Sequence, residues 1–459
     1  MYIFLYYFVK SYKNERIWWK ELGVKVVKFG GSSVADGLQL VKVKEIIESD
    51  PERRYVVVSA PGKRFNEDSK ITDLLFMCKA QAENNIPYEQ LFQVVSDRYN
   101  AIRYNLDINV DLDEHFAEIM EQMEAGCSED YIASRGEYLS AILIAAYLGY
   151  DFVDTKGLIL FDKKGRLLAE ETNEALSAEL AKHDRAVIPG FYGSYKDSGE
   201  IKVLSRGGSD VTGSLVARAV NADIYENWTD VSGLLMADPR VVDNPKPIES
   251  ISYMELRELS YMGASVLHEE AVFPVRLSDI PINIRNTNAP EDPGTIITTE
   301  SNYDKNKVLS GIAGKHPFTV ITIYKNMMNK EVGFVRRALA VLEDLDISFD
   351  HIPTGIDSLS VVIESSEIED SLDEVIEAFN QRLHPDEITV VPDIALIAVV
   401  GKGLSNSIGV SAKITAALAD AGINIRMLNQ GATEINVIVG VEAKDFKAAT
   451  RAIYNAFVS

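Results

Sequence analysis

Between Val24 and about Thr299, short runs of apolar, mostly β-branched residues alternate with longer stretches in which apolar positions recur every three or four residues. The runs Val24 to Val27, Val56 to Val58, Val187 to Ile188 and Ile282 to Ile284 predict buried strands. Leu38 to Glu48, Glu137 to Leu148 and Thr212 to Val220 predict helices. Alternation of this kind predicts an α/β sandwich on a mainly parallel sheet, with ligands gathering beyond the carboxyl ends of the strands. Asp68 to Arg103 and Asp111 to Ala125 are rich in helix formers and predict a helical insertion over that edge.

The last third repeats itself. At an offset of 76 residues, Gly333 to Ile352 matches Gly409 to Leu428, pairing Arg337 with Lys413, Leu342 with Leu418, Asp344 with Asp420, Ile347 with Ile423 and Phe349 with Ile425. The same offset aligns Val320 to Ile323 with Leu396 to Val399, and Val361 to Ile363 with Val437 to Val439. Each copy predicts strand, glycine turn, helix, strand, strand. So small a unit with one helical face buries little alone, and pairing with its copy is expected. Gly401-Lys402-Gly403 offers half a dinucleotide fingerprint but, inside a repeat, reads as a turn.

Two further glycine turns sit at strand-to-helix junctions. Lys28-Phe29-Gly30-Gly31-Ser32-Ser33-Val34 follows the first apolar run and reads as a strand ending in a lysine and a tight turn, with a helix opening near Asp36. Ser205-Arg206-Gly207-Gly208-Ser209-Asp210 follows Ile201, Val203 and Leu204 and leads into the helical stretch from Thr212. Glycines let the backbone approach a ligand, amides at a helix start attract anionic oxygen, and Lys28 and Arg206 add full charges. Each segment alone also reads as an ordinary turn with a solvated basic residue. Neither is a GxxxxGK[ST] loop or a GxGxxG fingerprint. Placed together, the two turns would frame one anionic substrate from two sides.

Composition narrows the choice. A formal charge of −23 on 459 residues argues against nucleic acid and anionic membrane as partners, because a phosphate backbone would be repelled. A phosphate site on this chain must be locally basic, and Lys28, Arg206 and Arg240 are the candidates. The length implies two or three domains. Cys78 and Cys127 fit neither a disulfide framework nor a metal spacing, and the six histidines include no HExxH pair. The expectation is a reducing cytoplasm, no metal held by protein side chains, and a structural His268. Met1 to Val9 is apolar but about half the length that spans a bilayer, and it lacks the marks of a secretory signal. Residues 1–23 read as an appendage. It is either a packed extension or the product of a misassigned start, since Lys20-Glu21 can be encoded by a ribosome-binding sequence and Val24 by GTG. Sequencing the terminus of the native protein decides between them, and a terminus at Met1 sinks the second.

KFGGSSV and SRGGSD, in this order and at this separation, resemble the signature of the aspartokinases, amino-acid-kinase-fold enzymes that phosphorylate aspartate. Ser134-Arg135-Gly136-Glu137, Trp228-Thr229-Asp230-Val231, Asp238-Pro239-Arg240-Val241 and Gly263-Ala264-Ser265-Val266-Leu267-His268 agree, and the likeness runs from Val24 to the C-terminus. The repeated units resemble ACT domains, ferredoxin-like α+β modules that bind amino acids at paired interfaces. The resemblance implies a catalytic domain over 24–300 and a first ACT-like domain over 316–391. The latter is inserted into a second, built from 301–315 and 392–459, to which Val308 to Ala313 adds a strand. It further implies a cytoplasmic homodimer or homotetramer using ATP with Mg²⁺ held mainly by the nucleotide, at the first step toward lysine, threonine and methionine. No homoserine dehydrogenase is expected after residue 459.

The implied reaction moves the γ-phosphoryl group of ATP to the β-carboxylate of L-aspartate. That carboxylate is already ionised at neutral pH and needs no general base. The barrier is bringing two anions together, which calls for cations, Mg²⁺ and aimed amides. The resemblance places Lys28 on the phosphates, with Gly30, Gly31 and Ser32 as the cradle. Asp210 then orients Lys28 or the second glycine turn, although a plain helix cap is its rival role. For the zwitterionic end of aspartate, Arg206 suits the α-carboxylate and Glu137 the α-ammonium. Glu137 equally suits a helix start, beside the positive end of the dipole.

Ser59, Thr72 and Ser209 fall where hydroxyl contacts to aspartate are implied, although the loop Pro61 to Lys70 is longer and more charged than the family pattern. Thr229, Asp230, Leu235, Arg240, Ser265 and Val266 match positions around the nucleotide. Ser265 stands where many relatives carry a lysine, and Leu235 where some carry tyrosine. For a feedback effector, with lysine expected and threonine the alternative, the implied positions are Met328, Gly333, Ser348, Asp350 and Thr354. Asp350 would receive an ammonium group, unless it is simply a solvated strand end. Two rival readings stand. One is another phosphotransferase of this fold, acting on glutamate, carbamate or a nucleoside monophosphate. The other is a non-enzymatic amino-acid sensor, which could have lost Lys28, Glu137, Arg206 and Asp210.

Overall fold

The computed structural model describes residues 23–205, 207–264, 267, 269–299, 308–431 and 435–458. The expected extension over residues 1–22 lies outside the described residues, as do Arg206, Ser265, Val266 and His268. The described residues form two compact units. The first comprises residues up to Leu234 with Glu249–Tyr253 and 267–299, and the second comprises Leu235–Ile248, 254–264 and the residues from 308 onward. Among the described residues no helix is long and apolar enough to cross a membrane.

The first unit carries β1 (Lys25–Phe29), β2 (Arg53–Val58), β3 (Asp151–Phe152), β4 (Leu160–Phe161), β5 (Ala186–Pro189), β6 (Tyr192–Tyr195), β7 (Ile201–Val203), β8 (Ile224–Thr229), β9 (Ser250–Ser252), β10 (Ile282–Asn286) and β11 (Thr295–Thr298). Eight of them form one sheet in the order β3-β5-β2-β1-β8-β10-β11-β9. Every neighbouring pair is parallel except β10 with β11. Val26, Val27, Phe29 and Val56 to Val58 are fully buried, which is why these strands read as unbroken apolar runs.

The helix Gly37–Glu48 opens where Asp36 Oδ1 accepts the Gln39 N–H at 3.0 Å, and it buries Leu40, Val43, Ile46 and Ile47 at helical spacing. The insertion is three helices, Ile71–Glu83, Glu89–Asn105 and Asp113–Glu124. A long helix follows, Glu129–Leu148, capped by the Ser128 hydroxyl on the Tyr131 N–H and closed by left-handed Gly149 at φ 69°.

The second glycine turn corrects one expectation. Its preceding strand, β7, is not in the main sheet but pairs antiparallel with β6 in a small sheet of order β4-β6-β7. Ile201–Val203 is only partly buried, and a strand wet on one face suits an antiparallel ribbon better than a sheet covered on both sides. The turn still reaches the main sheet, because the helix it opens, Gly208–Ala219, lies against β1, β2 and β8.

The second unit holds one antiparallel sheet of β12 (Gly311–Tyr324), β13 (Ser358–Glu364), β14 (Glu387–Val400), β15 (Met427–Gln430) and β16 (Asn436–Glu442), in the order β13-β12-β14-β16-β15. β12 and β14 each pass through both repeat copies. Gly311 to Lys315 pairs with Val400 to Leu396 in the second copy, and Val320 to Tyr324 with Val391 to Glu387 in the first. The helices Phe334–Asp344 and Val410–Asp420 both follow a left-handed glycine, Gly333 at φ 81° and Gly409 at φ 86°. The copies differ at the strand after the helix. It is β15 in the second copy but irregular in the first, where Asp350 N, Val362 N and Ser360 N bond Val362 O, His351 O and Pro353 O across the edge. Pro353 has no N–H to continue the ladder.

Candidate active site

Backbone against backbone fixes the first glycine turn. Gly30 N–H donates to Trp228 O at 3.1 Å and Gly62 N–H to Gly31 O at 2.8 Å. A Cβ on Gly31 would lie 2.9 Å from Ala60 O, and one on Gly62 would lie 2.7 Å from the Gly31 carbonyl carbon, so neither position admits a side chain without movement. Lys28 lies within β1, which continues through Phe29 rather than ending at the lysine.

Lys28 Nζ is 2.6 Å from Asp210 Oδ1 and 3.4 Å from Asn227 Oδ1, and the Asn227 amide donates to Asp210 Oδ1 at 2.9 Å. Lys28 is only 7% exposed. The helix bearing Asp210 starts from left-handed Gly207 with no side-chain cap, and Asp210 lies in its first turn with its carboxylate facing Lys28 and the Asn227 amide. Both glycine turns thus meet at one ion pair. Ser209 is buried beside them, where a Cβ on Gly190 would lie 2.6 Å from its Oγ.

Glu137 is not at a helix start. It is mid-helix in Glu129–Leu148, which removes the dipole reading. The next turn of packing puts it at the site, because a Cβ on Gly136 would meet Ala60 Cβ at 2.7 Å, beside the first glycine turn. Glu137 is 6% exposed. Burial pushes its carboxyl up to about 7, against the Ala60 and Glu137 backbone amides and the Arg135 charge that favour ionisation. Its Oε2 has no hydrogen-bond partner among the described residues. A buried acceptor left open is costly and matches an incoming donor.

Four residues that the sequence reading did not single out, Arg98, Arg64, Arg53 and Glu226, complete the surroundings. Arg98, from the insertion, donates to Asp68 Oδ2 at 2.7 Å and to Gly62 O at 2.6 Å, and so ties down the charged loop that leads to Thr72. Arg64 beside Asp68 holds that carboxyl far below the usual range, with Arg98 assisting. The available signal was a cation on the apolar stripe of Val95, Tyr99 and Ile102. Glu226 and Arg53 form a buried pair at 2.8 Å, and Trp228 Nε1 donates to Glu226 Oε2 at 2.9 Å. Ser59 and Thr72 are both half-buried, Ser59 N–H bonding Phe29 O at 3.2 Å.

A profile of the amino acid kinase family matches residues 23–286, and one of the ACT domain matches residues 397–457. Aspartokinase 3 of Bacillus subtilis is 38% identical over 449 residues, covering 95% of this chain and 98% of that protein. The chain belongs to the aspartokinases, within the amino acid kinase family. The crystal structure of Clostridium acetobutylicum aspartate kinase is 51% identical, with a TM-score of 0.88 over 95% of this chain and 100% of that one. E. coli aspartokinase III in complex with aspartate and ADP is 26% identical, with a TM-score of 0.72 over 95% of this chain and 100% of that one. The same E. coli protein is also solved with lysine and aspartate, at 27% identity, with equal TM-score and coverage.

The remaining family positions fall in both units. Thr229 ends β8, and its hydroxyl donates to Asp230 at 3.2 Å. Leu235 and Arg240 fall in the second unit, where Arg240 is exposed and paired with Asp238 at 2.7 Å. Also in that unit, Met328 is buried, Gly333 is left-handed, and Ser348 and Thr354 are exposed. Asp350 is half-buried, and the Tyr261 hydroxyl donates to its Oδ1 at 2.7 Å. Burial and then that bond push Tyr261 up to about 12.

Proposed function

We propose that the protein transfers the γ-phosphoryl group of MgATP to the β-carboxylate of L-aspartate, forming 4-phospho-L-aspartate and ADP. The observation that carries this reading is the Lys28–Asp210 contact of 2.6 Å, which joins the two glycine turns beside a buried carboxylate with an open oxygen. A β-carboxylate oxygen attacks the γ-phosphorus while the bond to the β-phosphate oxygen breaks, its electron pair leaving with ADP. No proton needs to move. Lys28, the amides of Gly30, Gly31 and Ser32, and the Mg²⁺ carried by the nucleotide offset the charge gathered on the phosphoryl oxygens. Glu137 receives the α-ammonium and Arg206 the α-carboxylate, with Ser59, Thr72 and Ser209 offering hydroxyls. Thr229, Asp230, Leu235, Arg240, Ser265 and Val266 are assigned to the nucleotide.

We assign catalysis to 24–300 and regulation to 316–391 and to 301–315 with 392–459, in a cytoplasmic homodimer or homotetramer. Lysine is the proposed inhibitor, held by Met328, Gly333, Ser348, Asp350 and Thr354, with threonine the alternative. Its ammonium would displace the Tyr261 hydroxyl from Asp350. Lysine inhibition that persists unchanged in Asp350→Ala would refute that site. The reaction itself is tested by ADP release with aspartate, with glutamate and with no acceptor. Aspartate-dependent release is expected, and acceptor-independent turnover or a preference for glutamate would overturn the reading.

A further inference from the structure

β8 places polar side chains on both of its faces although the strand lies inside the sheet. Tyr225 and Asn227 look toward the helix Gly208–Ala219, where the Tyr225 hydroxyl donates to Asp210 O at 3.2 Å and the Asn227 amide to Asp210 Oδ1 at 2.9 Å. Glu226 and Trp228 look the other way, onto Arg53 and the Phe29 ring, whose centroid is 6.0 Å from that of Trp228. Asn227 is aligned with Lys28 in the β1–β8 register and is only 4% exposed. A lysine ammonium can only donate, so the Asn227 oxygen must face Lys28 and its NH₂ must face Asp210. The amide therefore bridges the two members of the ion pair that joins the glycine turns.

Lys28 cannot serve a phosphate and remain on Asp210 at full strength. When it turns toward the nucleotide, a carboxylate with a 14% exposed side chain loses the cation 2.6 Å from it. We propose that Asn227 is a positioning residue, whose side-chain amide holds the Asp210 carboxylate in place and satisfied while Lys28 moves to the transferring phosphate. Asn227 makes this exchange smoother in the transition state than in the resting enzyme. Its loss is therefore expected in kcat rather than in KM for aspartate. The inference rests on the assignment of Lys28 to the phosphate.

The test is steady-state kinetics of the full chain as parent, Asn227→Leu, Asp210→Ala and the double variant, with Asn227→Ala as a smaller substitution should leucine disturb the strand. Asn227→Leu is expected to lower kcat about tenfold and leave KM for aspartate within about twofold, and the double variant to be about as slow as Asp210→Ala alone. A residue with only a structural role would give losses that multiply, and that result overturns the proposal. So does a folded Asn227→Ala or Asn227→Leu with the parental kcat. Lys28→Ala, run alongside, separates the two levels. If it keeps parental activity the phosphate assignment itself fails, whereas an inactive Lys28→Ala beside fully active Asn227 variants sinks only the role of Asn227.

Discussion

Glu226 and Glu137 are both buried in the first unit, at 3% and 6% exposure, and their surroundings are opposite. Glu226 is met by Arg53 Nε at 2.8 Å, by Arg53 Nη2 at 3.3 Å and by the Trp228 indole N–H at 2.9 Å. The guanidinium groups of Arg53 and Arg285 also lie 5.3 and 4.6 Å from the Trp228 ring centroid. Glu137 has no ion pair of this kind among the described residues, its carboxyl is pushed up to about 7, and its Oε2 is open. One carboxylate is finished by the fold, and the other is finished only by something that arrives. Burial of charge therefore does not mark the site by itself. Burial left incomplete does, and in the proposed assignment a ligand ammonium completes it.

Removing the finished carboxylate should have the largest effect on the fold. Glu226→Ala strands Arg53 and the Trp228 N–H, and a loss of about 3–5 kcal/mol in urea unfolding is expected. A loss below about 1 kcal/mol would mean that the pair is not held away from water. Lys28→Ala should cost less stability, because the Asn227 amide still donates to Asp210, and should lower kcat by about 10² or more, as expected for one preorganised charge taken from a transition state. Activity within about twofold of the parent would remove Lys28 from the chemistry.

The smaller effect separates the two glutamates by sign. An acid whose folded pKa is raised gives stability that is present below its unfolded value, here 4.5, and lost as pH rises through about 7. At pH 8 the parent without ligand carries a buried charge that Glu137→Gln lacks. The variant should then be more stable by about 1–3 kcal/mol, the gap closing as pH falls from about 7 toward 4.5. Thermal unfolding across that window checks it, and a destabilised variant, or a gap that ignores pH, would contradict the comparison.

The elements that place the site were legible where local pattern and burial agree. β1, β2, β5 and β10 are buried on both faces and read as apolar runs, and the two repeat helices follow from glycines that must adopt positive φ. Long-range pairing was not legible. Ile224–Thr229 carries two consecutive polar residues that break any apolar run, yet Glu226 and Asn227 are both buried, because their partners Arg53, Lys28 and Asp210 come from distant segments. The small β4-β6-β7 sheet and the interruption at Pro353 depend on which neighbour a strand finds. The early start of the helix Glu129–Leu148 was readable in Ser128 followed by Glu129 and Asp130, a cap with acids in its first turn.

Calorimetric titration of aspartate into the parent and Glu137→Gln, each at pH 6 and pH 8 without nucleotide, tests the central claim most directly. The parent should bind more tightly at pH 8, where Glu137 is ionised and pairs with the α-ammonium, and Glu137→Gln should bind weakly at both pH values, with little difference between them. Parental affinity in Glu137→Gln, or parental binding that does not change between the two pH values, would contradict the assignment of this buried carboxylate to the substrate.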